Sequence, residues 1–155
     1  MEPSNQPNKD LLLQLLGIFR AIHMSHWTAH WQVKGTPSYG DHLLFQRLYE
    51  GMVEEIDDLG EKIVSYYGSE SVALTANIGI AHDFLSAYDS RGVYDLYQRA
   101  LQMELHLQKA LSHVYEVIKE SGEMSLGLDD ALMSFANAHE TAVFLLRQRL
   151  RHSGE

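Results

Sequence analysis

The sequence predicts an all-α protein, a bundle of four long helices with one long connection between the second helix and the third. Apolar residues recur at alternating spacings of three and four in four long segments, as on the buried face of a helix. Glycine, proline and polar residues interrupt the pattern between the segments. The longest interruption, from Ser69 to about Arg91, can traverse a second helix that is roughly 40 Å long. The third helix can therefore run parallel to the second, unlike in a simple up-and-down bundle.

The first helix is predicted from about Lys9 to Lys34. Lys34 suits the last turn of a helix, and Gly35 and Pro37 follow it as a stop signal. Its apolar stripe continues into three histidines, and reads Leu12, Leu16, Phe19, His23, His26, His30 and Val33. We interpret His23 and His26 as packed or hydrogen-bonded side chains. His26 also lies one helical turn before His30, so it is a candidate for a substitute metal ligand or for a group that orients one.

The second helix is predicted from about Asp41, a suitable N-cap, to Tyr67, and Gly68 ends it. The connection that follows contains an apolar piece, residues 76–88, which predicts a short helix lying across the bundle. One long crossover that carries a short helix is the arrangement of ferritin-like bundles rather than of up-and-down bundles.

The third helix is predicted from roughly Gly92 to Glu120, with Ser121 and Gly122 ending it. Glu104 interrupts its apolar stripe. We interpret Glu104 as a solvated or hydrogen-bonded residue at the edge of the stripe, in preference to a buried metal ligand.

The fourth helix is predicted to start near Asp129 or Asp130, either of which can cap it, and to end at about Arg151. His139 lies on the apolar stripe of this helix, so we expect a core histidine with its hydrogen bonds satisfied rather than a metal ligand.

Length and composition indicate one domain with a sizeable core, covering residues 9–152, after a polar tail of residues 1–8 that we expect to be disordered. The 12 lysines and arginines against 21 acidic residues give a net charge of −9, which argues against DNA binding. No apolar run is long enough for a membrane span, no signal peptide is recognisable and cysteine is absent. These features are typical of a cytoplasmic protein.

Four residues on the first two helices have side chains that suit iron, zinc or manganese, namely His30, His42, Asp57 and Glu61. Asp57 and Glu61 share one helix face, but His42 lies fifteen residues before Asp57, roughly 22 Å away along the same helix. One chain therefore cannot bring both ends to one ion, whereas an antiparallel copy of this helix across a two-fold axis near Gly51 can. Solvated surface carboxylates and histidines that cap helix ends remain alternatives.

The same residues resemble the motif of the Dps-type miniferritins, the branch of the ferritin-like proteins named for DNA protection during starvation. The motif reads His30-Trp31-Gln32-Val33-Lys34-Gly35, and His42, Gln46, Asp57 and Glu61 follow it at the family spacing. Four of the five ligand positions match. At the fifth position the family has an acid that helps to hold a second, weaker iron, and this chain has the neutral Gln46.

The resemblance implies a ferroxidase that oxidises Fe(II) with hydrogen peroxide or dioxygen and stores Fe(III) mineral in a hollow dodecameric shell. Zinc or manganese could occupy the same ligands in place of iron. The family also places acidic pores for iron at the turn before the fourth helix, where this chain has Glu123, Asp129 and Asp130. Ordinary capping and solvation are alternatives for all three. The lysine-rich tail that binds DNA in the family is not matched, since the N-terminal end of this sequence offers only Lys9.

Two other functions compete with this reading. A di-iron oxidase with its site inside one bundle needs Glu-x-x-His on two helices, and no glutamate of this chain has a histidine three residues later. A helical shell or interaction protein with a weakened or absent ferroxidase site remains the alternative, because the exchange of an acid for Gln46 removes a ligand charge.

Overall fold

The structure, a computed structural model, describes residues 6–153, and within this range all regular elements are helical. Five α-helices follow one another: α1 (Pro7–Gln32), α2 (Ser38–Tyr67), α3 (Leu74–Ser90), α4 (Leu96–Ser121) and α5 (Leu126–Ser153). A 3-10 turn, Ser69–Ser71, lies between α2 and α3. The predicted bundle of four long helices with a short helix in the crossover is confirmed.

The four long helices surround one core, and their packing gives their order around it. α1 packs against α2 and α4, and α5 packs against α4 and α2, so the order around the bundle is α1, α2, α5, α4. The crossover helix α3 packs on the outside, against α1. The face between α1 and α4 is therefore opposite the face between α2 and α5.

Two helices, α1 and α5, begin earlier than the sequence predicted. α1 begins at Pro7, so Asn8 belongs to the helix and is buried, with its amide donating to Ser121 and Glu123. Of the predicted tail, residues 1–5 lie outside the described residues. α5 begins before Asp129, because the hydroxyl of Ser125 accepts a hydrogen bond from the Leu128 N–H and performs the capping.

Asp41 is not the N-cap that the sequence suggested, because α2 begins three residues earlier at Ser38. Its carboxylate is buried and binds the Arg149 guanidinium, with Nε 2.6 Å from Oδ1 and Nη2 3.0 Å from Oδ2, and it also accepts from Tyr97. Burial opposes ionisation, but the hydrogen bonds with Arg149 and Tyr97 outweigh it and lower the pKa of Asp41. This ion pair joins the start of α2 to the end of α5.

The core is filled by large apolar side chains that the periodic stripes of the helices supply. Its centre includes Phe19 and Phe135, whose ring centroids lie 5.2 Å apart in an edge-to-face arrangement. None of the helices within residues 6–153 combines the length and the apolarity needed to cross a bilayer.

α1 and α3 come into close contact at Gly17. A Cβ atom built on Gly17 would lie 2.3 Å from Cγ2 and 2.7 Å from Cβ of Ile80, far inside van der Waals contact. Glycine at this position therefore lets the crossover helix pack directly on the backbone of α1.

We expect Gly17→Ala to lower the free energy of unfolding by about 1–3 kcal/mol, because the added methyl group overpacks the contact with Ile80. The matched control is Gly79→Ala on α3, where an added Cβ meets no heavy atom of the described structure within 4 Å. That substitution should stabilise the helix by about 0.5–1 kcal/mol. Urea unfolding followed by circular dichroism measures both, and equal effects of the two substitutions would contradict the packing argument.

Candidate functional site

The end of α1 and the start of α2 bring two of the predicted ligands, His30 and His42, into direct contact. Their imidazole rings stack with centroids 3.5 Å apart and planes inclined by 22°. Nδ1 of His30 lies 2.7 Å from the carbonyl oxygen of His42, and Nδ1 of His42 lies 2.8 Å from the carbonyl oxygen of His30. Each histidine thus holds the backbone of the other, and the pair joins the two helices across their turn.

These two hydrogen bonds determine which ring nitrogens are available to a metal. A carbonyl oxygen can only accept, so Nδ1 carries the proton in both rings. In the neutral imidazole the lone pair then resides on Nε2, which is the atom that can bind a cation. A backbone carbonyl that accepts from the second ring nitrogen is a common way of orienting a histidine ligand in metal sites.

The other two predicted ligands lie toward the far end of α2. Asp57 and Glu61 are both exposed on one face of this continuous helix, one turn apart. The structure does not bring them to the histidine pair, because an unbroken helix separates His42 from Asp57 by roughly 22 Å. Among the described residues of a single chain, no three His, Asp or Glu side chains are arranged to hold a metal ion.

Gln46, where the family motif has an acid, lies one turn after His42 on α2. Its amide Nε2 donates to Oε1 of Glu50 at 2.9 Å. The carboxylate that Gln46 contacts on this face of the helix is therefore that of Glu50, which is exposed.

The chain is similar to known proteins in both sequence and fold, although no family model matches it. It is 26% identical over 115 residues to the DNA protection during starvation protein of Helicobacter pylori strain J99. The aligned residues cover 74% of this chain and 77% of that protein. The fold matches Dps from Vibrio cholerae O1 with a TM-score of 0.76 at 18% identity, covering 94% of this chain and 89% of that one. Dps from Staphylococcus aureus gives a TM-score of 0.75 at 17% identity, covering 96% and 98%.

The resemblance to the Dps-type proteins is confirmed. The Vibrio cholerae protein is described as a member of a broad superfamily of ferritin-like diiron-carboxylate proteins. The Dps-type fold therefore accounts for the four long helices, the single crossover and the position of its short helix.

Two tryptophans beside the histidine pair lie outside the hydrophobic core. Trp27 is 41% exposed and Trp31 is 65% exposed. Tyr49 lies between the tryptophans and the histidine pair. The centroid of its ring is 5.2 Å from that of Trp27 and 5.3 Å from that of His30. The two tryptophans therefore form part of an exposed aromatic surface next to His30.

The three acidic residues predicted for the pore lie around the turn between α4 and α5, and they differ in their surroundings. Glu123 accepts a hydrogen bond from Asn8 at 2.5 Å, and Asp129 accepts one from the Tyr115 hydroxyl at 3.2 Å. Asp130 is exposed. Two of the three carboxylates thus also hold structural contacts within the chain.

A buried charged cluster in the middle of the bundle is the feature that the sequence interpretation missed. Glu104, which we expected as a solvated or hydrogen-bonded residue at the edge of the stripe, is only 1% exposed. Its Oε1 lies 2.9 Å from Nε2 of His26 and its Oε2 lies 2.5 Å from Nδ1 of His139. Nε2 of His139 lies 3.0 Å from Oε2 of Glu55. His26 therefore binds Glu104 and does not join His30, whereas the expectation of a satisfied core histidine at 139 is confirmed.

The cluster is an ion-pair network because the hydrogen bonds outweigh the cost of burial. Burial alone would raise the pKa of Glu104, but the hydrogen bonds from His139 and His26 lower it to about 2. Burial would likewise lower the pKa of His139, but the hydrogen bonds with Glu104 and Glu55 raise it to about 10. At neutral pH, His139 is thus an imidazolium held between two carboxylates.

The sequence contained a signal for this cluster. Glu104 interrupts an apolar stripe of α4, and His26 and His139 lie on the stripes of α1 and α5. A carboxylate and two imidazoles at core positions on neighbouring helices indicate a buried polar network, since a buried charge needs partners.

We expect Glu104→Gln to lower the free energy of unfolding by about 3–5 kcal/mol near pH 6, because it leaves a buried imidazolium with one carboxylate fewer. The raised pKa of His139 contributes stability that is full below about 6.5 and fades as the pH approaches about 10. The lowered pKa of Glu104 contributes stability that fades from about 4.5 down to about 2. The difference in the free energy of unfolding between native and variant protein should therefore be largest near pH 6. It should shrink at lower and at higher pH.

Urea unfolding at a series of pH values measures this difference. The control is Glu140→Gln, which removes an exposed carboxylate from the residue next to His139 on α5 and should change stability little at any pH. A loss for Glu104→Gln that stays constant from pH 6 to pH 10 would contradict the charged state assigned to His139.

Proposed function

We propose that this protein oxidises and stores iron, with Fe(II) as the substrate of a site shared by two copies of the chain. His42 and His30 of one copy and Asp57 and Glu61 of the other would supply the ligands. The observation that carries the proposal is the histidine pair, in which both Nδ1 atoms are held by carbonyl oxygens. This arrangement orients the pair and leaves both Nε2 lone pairs to a cation.

The continuous α2 supports a shared site rather than one within a chain. An antiparallel α2 of a second copy would place its Asp57 and Glu61 beside His42, and its own His42 beside the first copy's carboxylates. Gly51 lies near the midpoint between these two groups and is exposed, and an added Cβ there meets no described heavy atom within 4 Å. The surface around the midpoint of α2 is thus open to a close neighbour.

The ligand set suits the oxidation of iron. Carboxylates stabilise Fe(III) more than Fe(II), and imidazole binds Fe(II) well, so a mixed set can take up the reduced ion and favour its oxidation. Two Fe(II) ions would give two electrons to one hydrogen peroxide molecule, which with two protons becomes two water molecules. Dioxygen is the alternative oxidant. Gln46 offers only a neutral amide, so we propose that any second iron at this site is bound weakly.

The assembly we propose is a dodecameric shell in the cytoplasm that collects Fe(III) mineral. Asp130 is exposed beside the α4–α5 turn and would line an acidic pore for iron, with Asp129 and Glu123 nearby. DNA would not be a partner, because a net charge of −9 repels phosphate and the N-terminal segment offers only Lys9.

We expect Glu61→Gln and Asp57→Asn each to slow Fe(II) oxidation by at least about tenfold, since loss of even an outer partner of a metal site costs that much. Both residues are exposed in the single chain, so the variants should fold normally. Stopped-flow absorbance of the Fe(III) product after addition of hydrogen peroxide measures the rate.

Glu116→Gln, which removes an exposed carboxylate from α4, is the control and should keep the native rate. Equal rates in all four proteins would refute the proposed ligands. A native protein that assembles but oxidises iron no faster than buffer would support the alternative, a shell or interaction protein with a weakened or absent ferroxidase site.

A further inference from the structure

α2 presents an exposed stripe of side chains along much of its length. The residues of the stripe recur at alternating spacings of four and three, which keeps them on one side of the helix. All of them are exposed in the single chain, so the rest of the bundle does not cover this side of α2. We call this set the α2 stripe, and its members are Leu43, Arg47, Glu50, Glu54, Asp57 and Glu61.

The α2 stripe carries one positive charge among four negative ones. Arg47 is the only lysine or arginine of α2 before Lys62. The carboxylates that share the stripe with it are those of Glu50, Glu54, Asp57 and Glu61. Two such stripes repel each other wherever carboxylates face carboxylates. An attractive contact between the charges of two stripes therefore needs Arg47 opposite a carboxylate.

Arg47 and Glu54 are available to a second chain. Neither takes part in an ion pair with another residue of the described range. They lie two helical turns apart, roughly 10 Å along α2, which is too far for a salt bridge within one chain. Glu50 is closer to Arg47, but it accepts a hydrogen bond from Gln46 at 2.9 Å. Within residues 6–153, the guanidinium of Arg47 and the carboxylate of Glu54 thus form an exposed cation and an exposed anion that are not paired.

The proposed iron site sets the register in which two α2 helices would meet. His42 of one copy has to lie beside Asp57 and Glu61 of the other, so the helices are antiparallel and the two-fold axis passes midway between His42 and these carboxylates. Arg47 lies as far before this midpoint as Glu54 lies after it. Residues at equal distances on either side of a two-fold axis face each other in an isologous pair. Arg47 of each copy is therefore opposite Glu54 of the other.

We propose that two copies of this chain pair through their α2 stripes, and that two reciprocal contacts between Arg47 and Glu54 hold the pair antiparallel. This assignment rests on the proposed function, because the shared iron site supplies the register. A parallel pair would place Arg47 opposite Arg47 and carboxylates opposite carboxylates. Charge pairs at an interface fix orientation and exclude wrong partners more than they add affinity, which is the role we assign to this pair.

Glu50 distinguishes the proposed register from its neighbour. In the register of the shared iron site, the two copies of Glu50 approach each other near the two-fold axis, where their like charges oppose pairing. In a register shifted by one helical turn, Glu50 would face Arg47 of the other copy and favour pairing. Removal of the Glu50 charge therefore has opposite effects in the two registers.

Sedimentation velocity of the metal-free protein tests the pair without relying on iron oxidation. Arg47→Glu and Glu54→Arg each bring like charges together at both contacts, so each variant should need an at least about tenfold higher concentration to associate. The control is Lys109→Glu, an exposed position on α4, which changes the net charge by as much as Arg47→Glu and should associate like the native chain. Glu50→Gln should associate at the native concentration or below it.

Mixing the two reversed variants supplies a second measurement. In a mixed pair the introduced glutamate faces the introduced arginine, and the native Arg47 of one chain faces the native Glu54 of the other. Both contacts then join opposite charges again. Native mass spectrometry should therefore show mixed pairs well above the half that random pairing gives. Any larger assembly built from such pairs should contain the two variants in equal numbers.

All substituted positions are exposed, so the variants should fold, and circular dichroism checks this. Should a reversed variant not fold, Arg47→Gln is the milder substitution and should also associate less readily than the native chain.

Several results would overturn the proposal. They are a native chain that stays monomeric, reversed variants that associate like the native chain, a mixture of random composition, or a Glu50→Gln variant that associates less readily. Failure of the proposed function looks different, because mixed pairs that form as expected in a protein that oxidises no iron would leave the pairing intact.

Discussion

The length of α2 is the constraint on which the arrangement of the candidate site depends. α2 is a single helix of 30 residues, Ser38–Tyr67, and it carries His42 near one end and Asp57 and Glu61 toward the other. A helix is rigid on this scale, so the rise of 1.5 Å per residue fixes a separation that no side chain can span. When two copies of this helix lie antiparallel, the same separation places His42 of one copy beside Asp57 and Glu61 of the other. The proposed iron site therefore requires a second copy of the chain.

The start and the middle of α2 are held in place by different polar contacts. At the start, His42 exchanges hydrogen bonds with His30, and Asp41 binds Arg149 of α5. Near the middle, Glu55 joins the ion-pair network that crosses the core to α1, α4 and α5. The helix that carries most of the proposed ligands is thus anchored to every other helix of the bundle by polar groups as well as by apolar packing.

Much of the fold could be predicted from the sequence because apolar periodicity and the glycine stops are local signals. The stop at Gly68, which has a φ of 91°, and the helix in the crossover are examples. The starts of α2 and α5 could not be placed as well, because Asp41 and Asp129 look like caps but form contacts with residues distant in the sequence, Arg149 and Tyr115. Local patterns do not contain such partners.

In the candidate site, too, contacts that are local in the sequence could be predicted and contacts between distant residues could not. The contact between His30 and His42 is local, because a short turn joins the two helices that carry them. The burial of Glu104 depends on His26 and His139, which are 78 and 35 residues away, so a glutamate in an apolar stripe was misread as an edge position. A rule based on Glu-x-x-His spacing also could not find a cluster that takes one residue from each helix.

Mixing two inactive variants tests the shared site most directly. His42→Ala and Glu61→Ala, each expected to oxidise iron poorly, are dissociated, mixed in equal amounts and reassembled, and the rate of Fe(II) oxidation is measured. About half of the two-fold pairs should be mixed, and each mixed pair regains one intact site of two. A shared site therefore predicts recovery to roughly a quarter of the native rate. A mixture that stays as inactive as its parents, while native protein treated in the same way recovers, would contradict it.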